Sequence, residues 1–139
     1  VLASGDPVVA DFSCCGGTGG VIRVNGTTGE QTLVASGGNL IAPVGIAQLA
    51  ISDLFVADPS CCGGTGGVIR VSPITGTQTL ISSGGHFAAP IGIAQLAAGD
   101  LVVADYSCCG GSGGVIRINP ITGAQTVLSA RRGPGQPYH

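Results

Sequence analysis

Short apolar runs, broken at regular intervals by polar or glycine-rich stretches, fill the chain from end to end. One stretch from Pro43 to about Gly85 shows the pattern. Val44 to Ala50 comes first, then a polar break at Ser52-Asp53, then Leu54-Phe55-Val56-Ala57-Asp58. A cysteine- and glycine-rich loop follows, then Val68-Ile69-Arg70-Val71, then Ser72-Pro73-Ile74-Thr75-Gly76, and Gln78 to Ser82 closes the stretch. These are four β-rich runs separated by turn chemistry, and none has the length or period of a helix. Pro73 followed three residues later by Gly76 predicts a tight hairpin with the glycine at positive φ. Asp58, at the end of the second run, is placed to accept hydrogen bonds from amides of the following loop. The runs are apolar on both faces, which predicts a sheet covered on both sides.

The stretch recurs. SCCGGTGG at 13–20 returns at 60–67 and, as SCCGGSGG, at 107–114. Cys14, Cys61 and Cys108 are 47 residues apart, as are Asp11, Asp58 and Asp105, and Arg23, Arg70 and Arg117. Four antiparallel strands repeated at this period describe stacked propeller blades. The expected fold is therefore all-β, with three propeller-type blades of four antiparallel strands and no helix beyond a turn. The blades should span 1–42, with the innermost strand truncated, then 43–89 and 90–136, with 137–139 opening a further innermost strand.

The residues also carry a family resemblance. Pro43-Val44-Gly45-Ile46-Ala47, Asp100-Leu101-Val102-Val103-Ala104-Asp105 and Gly67 through Gly76 spell P-x-G-I-A, D-L-x-V-A-D and G-V-I-R-V-x-P-x-T-G. This pattern resembles the blades of NHL-repeat and streptogramin-lyase-like β-propellers, and it covers nearly the whole chain. The resemblance implies blades in sixes, with Ile46-Ala47-Gln48 and Ile93-Ala94-Gln95 innermost and the cysteine loops joining second and third strands. The lyases of that group use a metal held by His and Glu on their loops. Here His86, His139 and Glu30 are the unrepeated candidates; they lie far apart in the chain, and no matching constellation is carried over.

Three blades do not close a ring. Leu2, Ala3 and Asp6 align with Leu49, Ala50 and Asp53, and Pro137 aligns with Pro90 and Pro43, so the tail of one copy continues almost in register into the head of another. Self-association into a six-bladed ring or an open filament is the expectation, with a lean toward the polymer; the other reading is a piece of a longer repeat protein. Either way a lone copy would expose two apolar blade faces.

Charge and composition then narrow the function. Charged residues are 9 % of the chain and the formal charge is −2, which gives no electrostatic basis for binding nucleic acid or an anionic membrane. Arg131-Arg132 is the one adjacent basic pair. No apolar run approaches the roughly 20 residues of a membrane helix. Six cysteines, all in adjacent pairs, predict an oxidising compartment and a secreted or cell-surface protein. The sequon Asn25-Gly26-Thr27 agrees with that and offers a glycosylation site. Val1 opens the chain without a signal-peptide pattern, as expected of a processed or excerpted sequence.

The cysteines have three readings. In an extended segment, neighbouring side chains point to opposite faces. Packed sheets lie about 10 Å apart, a disulfide spans roughly 5.5 Å between Cα atoms, and the Cys-Cys step adds about 3.8 Å. A ladder of cross-blade staples is then expected, Cys15 to Cys61 and Cys62 to Cys108, with Cys14 and Cys109 left for neighbouring copies. The rival is a disulfide closed within each pair, which strains the intervening peptide. A thiolate metal site fits less well, because zinc motifs space their cysteines two to four apart. The run GGTGG lacks the lysine of a phosphate-binding loop and precedes a strand, so a flexible loop is the expectation. Arg23, Arg70 and Arg117, one per repeat inside an apolar strand, predict structural ion pairs with Asp11, Asp58 and Asp105. Neither a cofactor nor a metal is expected. The loops are nearly identical, whereas an enzyme would vary them to build one site. The sequence therefore predicts a non-catalytic extracellular scaffold whose partners are copies of itself, with glycans as a further candidate; the alternative is a ligand-binding or lyase-like propeller using the channel mouth.

Overall fold

The computed structural model describes residues 5–48 and 53–130. They form three antiparallel sheets. The first contains β1 (Val8–Asp11), β2 (Gly20–Val24) and β3 (Gln31–Ser36); the second β4 (Gly45–Gln48), β5 (Leu54–Asp58), β6 (Gly67–Val71) and β7 (Gln78–Ser83). The third contains β8 (Pro90–Gln95), β9 (Leu101–Asp105), β10 (Gly114–Ile118) and β11 (Gln125–Ala130). Each strand pairs with the next in sequence, so every sheet is a simple meander. Helix is confined, among the described residues, to short turns at Cys14–Gly17 and Cys62–Gly64. No helix of the described residues is long and apolar enough to cross a membrane. Leu2 and Ala3, assigned above to a truncated innermost strand, and 137–139 lie outside the described residues.

The sheets are blades stacked face to face, and the middle one shows why its runs are apolar throughout. Strand side chains alternate between faces. Leu54 and Val56 of β5, with Ile69 and Val71 of β6, enter a core shared with Val21, Ala35 and Leu40 of the first blade. Phe55 and Val68 point the other way, into a second core with Leu101, Val103, Ile116 and Ile118 of the third. All five residues of β5 are buried. Among the described residues, the flanking blades are covered on one face each, and Val9 and Leu33 of the first are exposed. The innermost strands β4 and β8 are neighbours, and Gly45 lets β4 pack against the backbone of Ile91.

Two devices set how one blade meets the next. The last two strands of every blade slip register by one residue, at Val21/Ile22, Val68/Ile69 and Val115/Ile116. Such a bulge leaves an extra residue outside the ladder, here Val34, Ile81 and Leu128. The hairpin of the following blade lands on it: Gly76 lies over the Val34 carbonyl and Gly123 over that of Ile81. The second device is a glutamine. Gln78 accepts from the Asn39 amide at 2.8 Å and donates to the Gly37 carbonyl at 3.0 Å. Gln125 repeats this on the His86 amide at 2.8 Å and the Gly84 carbonyl at 3.1 Å, and also donates to Ser82 Oγ. Each glutamine thus clamps the Gly-Gly turn of the blade before it.

The hairpin glycine can be tested against its own repeat. Gly76 and Gly29 share a φ near +75°, but a Cβ at Gly76 would stand 2.6 Å from the Val34 oxygen, whereas nothing lies within 4 Å of one at Gly29. Gly29→Ala should cost about 1 kcal/mol of left-handed strain. Gly76→Ala adds a backbone clash and should cost at least twice that, as read from urea unfolding midpoints.

Candidate functional site

The residues that carry chemistry gather at one end of each blade, where the cysteine loop meets the segment crossing to the next innermost strand. An aspartate organises that end. Asp58 Oδ1 accepts from the Ser60 and Cys61 amides, each at 3.0 Å, and Oδ2 from Ile41 at 2.8 Å and Ala42 at 3.0 Å. Asp105 makes the same set with Ala88, Ala89, Ser107 and Cys108. Both carboxylates are buried, and four amide donors replace the water each has lost. Asp11, half-buried, accepts from Ser13 and Cys14. The bonds to the following loop are those expected from the sequence. The bonds to the crossing segment are new.

The cysteines close within each pair: Cys14–Cys15, Cys61–Cys62 and Cys108–Cys109. The cross-blade staples Cys15–Cys61 and Cys62–Cys108 are not formed, and neither Cys14 nor Cys109 is left for a neighbour. The premise that failed was an extended Cys-Cys step. The chain turns at this point, and the second cysteine of each pair takes a left-handed conformation, φ 62° at Cys15 and 65° at Cys62 and Cys109. That brings the two sulfurs to one side. A single non-glycine residue there costs about 1 kcal/mol.

The surrounding glycines are set by this turn. In the middle loop Gly63, Gly64 and Gly66 all have positive φ, and Gly64 and Gly66 both donate to the Cys61 carbonyl. The loop is therefore a defined turn rather than the flexible one expected. Gly67 underlies the disulfide: a Cβ there would stand 3.0 Å from Cys62 Sγ and 3.2 Å from Cys61 Sγ. The paired cysteines also pack. Cys61 and Cys62 join the first interblade core, Cys108 and Cys109 the second.

The arginines pair within their own blade, but with a different aspartate. Arg23 Nε donates to Asp6 at 2.8 Å, Arg70 Nε to Asp53 at 2.7 Å and Arg117 Nε to Asp100 at 2.7 Å. Asp11, Asp58 and Asp105 are occupied with amides instead. The arginine side chains are 40 to 48 % exposed, so these are surface pairs rather than buried ones. Asp6, Asp53 and Asp100 were legible from the same 47-residue period. The glutamine clamp was legible too, in Gln31, Gln78 and Gln125.

The unrepeated candidates stay apart. Glu30 closes the β2–β3 hairpin, whereas His86 sits in the crossing turn between the second and third blades, at the cysteine-loop end; His139 lies outside the described residues. Glu30 lines an open polar depression of about 240 Å³ with Asp6, Arg23, Asn25 and Thr32. Among the described residues, no three of His, Cys, Asp and Glu are grouped to hold a metal. Asn25 is exposed, and its Oδ1 accepts from the Thr27 and Thr28 amides at 2.9 Å; Ser72 and Asn119 hold their hairpins in the same way.

Two solved structures supply the external comparison. A chain of the crystal structure of a nidogen/laminin complex superposes with a TM-score of 0.65 at 17 % identity, covering 87 % of this chain and 47 % of its own. The periplasmic gluconolactonase of Pseudomonas aeruginosa gives 0.59 at 20 % identity, covering 90 % and 38 %. The fold is that of β-propeller blades. At such identities the likeness concerns architecture alone, and the chain spans less than half the length of either neighbour. No family model matches the chain, and neither does any curated protein.

The two kinds of aspartate should separate in unfolding experiments. Asp58→Ala strips four amides of their acceptor and should lower stability by about 3 kcal/mol or more, because each buried donor left unpaired costs about 1 to 3 kcal/mol. Arg117→Ala removes a solvent-screened pair and should change it by less than about 1 kcal/mol.

Proposed function

We infer that the chain is a non-catalytic structural propeller segment of an extracellular protein, associating with copies of itself by blade stacking. The observation behind this reading is the uniform employment of its reactive groups. Across the repeats, the strand-end aspartates bind loop amides, the arginines pair within their own blade, and the cysteines close on each other. A chemistry repeated at every blade serves the blade. Three disulfides suit an oxidising compartment, and the Asn25 sequon stands on an exposed hairpin where a glycan would have room.

The alternative, a ligand-binding or lactonase-like propeller, draws on the gluconolactonase among the structural neighbours. Turnover of a sugar lactone, or a saturable small-molecule ligand lost on mutating one blade, would favour it.

Every cysteine is bonded inside the chain, so association should not be covalent. On a non-reducing denaturing gel the protein should run as a 13.5 kDa monomer. In native sedimentation it should associate with concentration, with or without reductant. Sedimentation as a monomer throughout would overturn the self-association.

A further inference from the structure

The three outer hairpins share one backbone and differ in one chemical respect. Asn25, Ser72 and Asn119 open them alike, each side-chain oxygen accepting from the amides two and three residues on. The residue that follows is Pro73 in the second blade and Pro120 in the third, but Gly26 in the first. Proline has no N–H. Of the three asparagines in the chain, Asn25 alone stands directly before a glycine.

That N–H makes the next backbone nitrogen a nucleophile for the asparagine side chain. Its attack on Cγ closes a five-membered succinimide and expels ammonia, and glycine hinders it least because no Cβ shields the nitrogen. The hairpin supplies what the attack requires. Asn25 Oδ1, which gathers negative charge as the ring closes, accepts from the Thr27 and Thr28 amides, both at 2.9 Å. Two backbone donors so placed are an oxyanion hole. Asp6 Oδ1 accepts from the Gly26 N–H at 3.2 Å, within reach of the proton that nitrogen must lose. Asn25 and Asp6 also line the open depression of about 240 Å³, so water reaches the ring once it has formed. This openness belongs to the hairpin itself. In the middle blade, packed on both faces, the tip residue Ile74, which matches Thr27, is still 88 % exposed.

We propose that Asn25-Gly26 is a self-modifying site, at which the folded hairpin promotes conversion of Asn25 through a succinimide to aspartate and isoaspartate. The Gly26 nitrogen bonds to Asn25 Cγ, the Cγ–Nδ2 bond breaks, and the Gly26 proton passes by way of Asp6 to the departing ammonia. Water then opens the ring at either carbonyl. Isoaspartate carries the backbone through the former side chain. It thereby adds one carbon to a hairpin closed by bonds from the Asn25 amide to the Glu30 carbonyl and from the Gly29 amide to the Asn25 carbonyl. Either product sets a new carboxylate beside Asp6 and Glu30 and removes the amide on which a glycan would be built. Asn119 sits in the same turn but precedes Pro120 and has no such route; Asn39 precedes the bulkier Leu40. The site is independent of whether copies associate.

The test ages unglycosylated protein from a bacterial host at neutral pH and follows each asparagine by peptide mapping, with isoaspartate read by a methyltransferase specific for it. Wild type is aged folded and in urea, beside Gly26→Pro and Asp6→Asn, with circular dichroism to check that each variant folds. Gly26→Pro installs the residue of the other repeats, and a Cβ at Gly26 would meet nothing closer than 3.8 Å. Asn25 should convert at least about tenfold faster in the folded chain than in urea, a modest share of what preorganised donors contribute. Asn39 and Asn119 should keep their amides over the same period. Gly26→Pro should abolish conversion, and Asp6→Asn should slow it in the folded chain while leaving the urea rate unchanged. A folded chain that converts no faster than the unfolded one, or a Gly26→Pro variant that still loses the Asn25 amide, overturns the proposal. An Asp6→Asn variant that converts at the wild-type rate overturns the part given to Asp6.

Discussion

A buried carboxylate at the end of the second strand is the constraint on which each junction depends. Asp58 and Asp105 are cut off from water, and a lone ionised group in that position would be prohibitively costly. Four backbone amides satisfy each one, two from the cysteine loop that follows and two from the segment arriving from the blade before. One side chain therefore fixes the start of the cysteine turn and the path of the crossover together. The turn's geometry then determines the rest. Amides held on the carboxylate bend the chain at the first cysteine, the second goes left-handed, and the sulfurs meet within the pair rather than across blades.

The fold was legible in the sequence because its signals are short-ranged and repeated. Alternation along Leu54-Phe55-Val56 sends side chains into two different cores, and the continuous apolar character of the run follows from burial on both sides. The Pro73–Gly76 turn was legible for the same reason: a glycine at positive φ is a local demand, and Gly76 meets it. The bulge in each outer strand was not legible. It recurs in the third blade, on which no described hairpin lands, so it belongs to the strand pair itself, and it leaves no mark on the composition of the strand.

The site was read less well, for a physical reason common to its two errors. Cys14-Cys15 and Arg23 were read as though their strands ran on undisturbed, with extended geometry at the cysteines and burial at the arginine. The aspartate hub bends the first, and a place near the hairpin end of β2 leaves the second partly exposed. The period alone could not choose between Asp6 and Asp11 as the partner of Arg23, since both recur every 47 residues. The choice follows from backbone need: Asp11 has loop amides within reach, and Asp6 stands across from the guanidinium.

Most interblade polar contacts run from a side chain to a backbone, as with the glutamines on the Gly-Gly turns and the aspartates on crossing amides. Backbone groups are the same whatever residue bears them, so such an interface restricts few side chains on the receiving blade beyond the glycines. Such an interface puts little demand on sequence, in keeping with a fold shared with propellers at 17 to 20 % identity. It also locates where this chain can be individual. Polar positions that hold a blade on its neighbour lie at the strand end, the Gly-Gly turn and the outer hairpin, around the apolar interblade cores. One departure from the repeat lies outside them: Phe12 and Tyr106 flank two of the disulfides and are 62 and 75 % exposed, while the matching position in the middle blade is Pro59. Groups that could bind something other than another blade must come from that second set, because the first is already engaged in stacking.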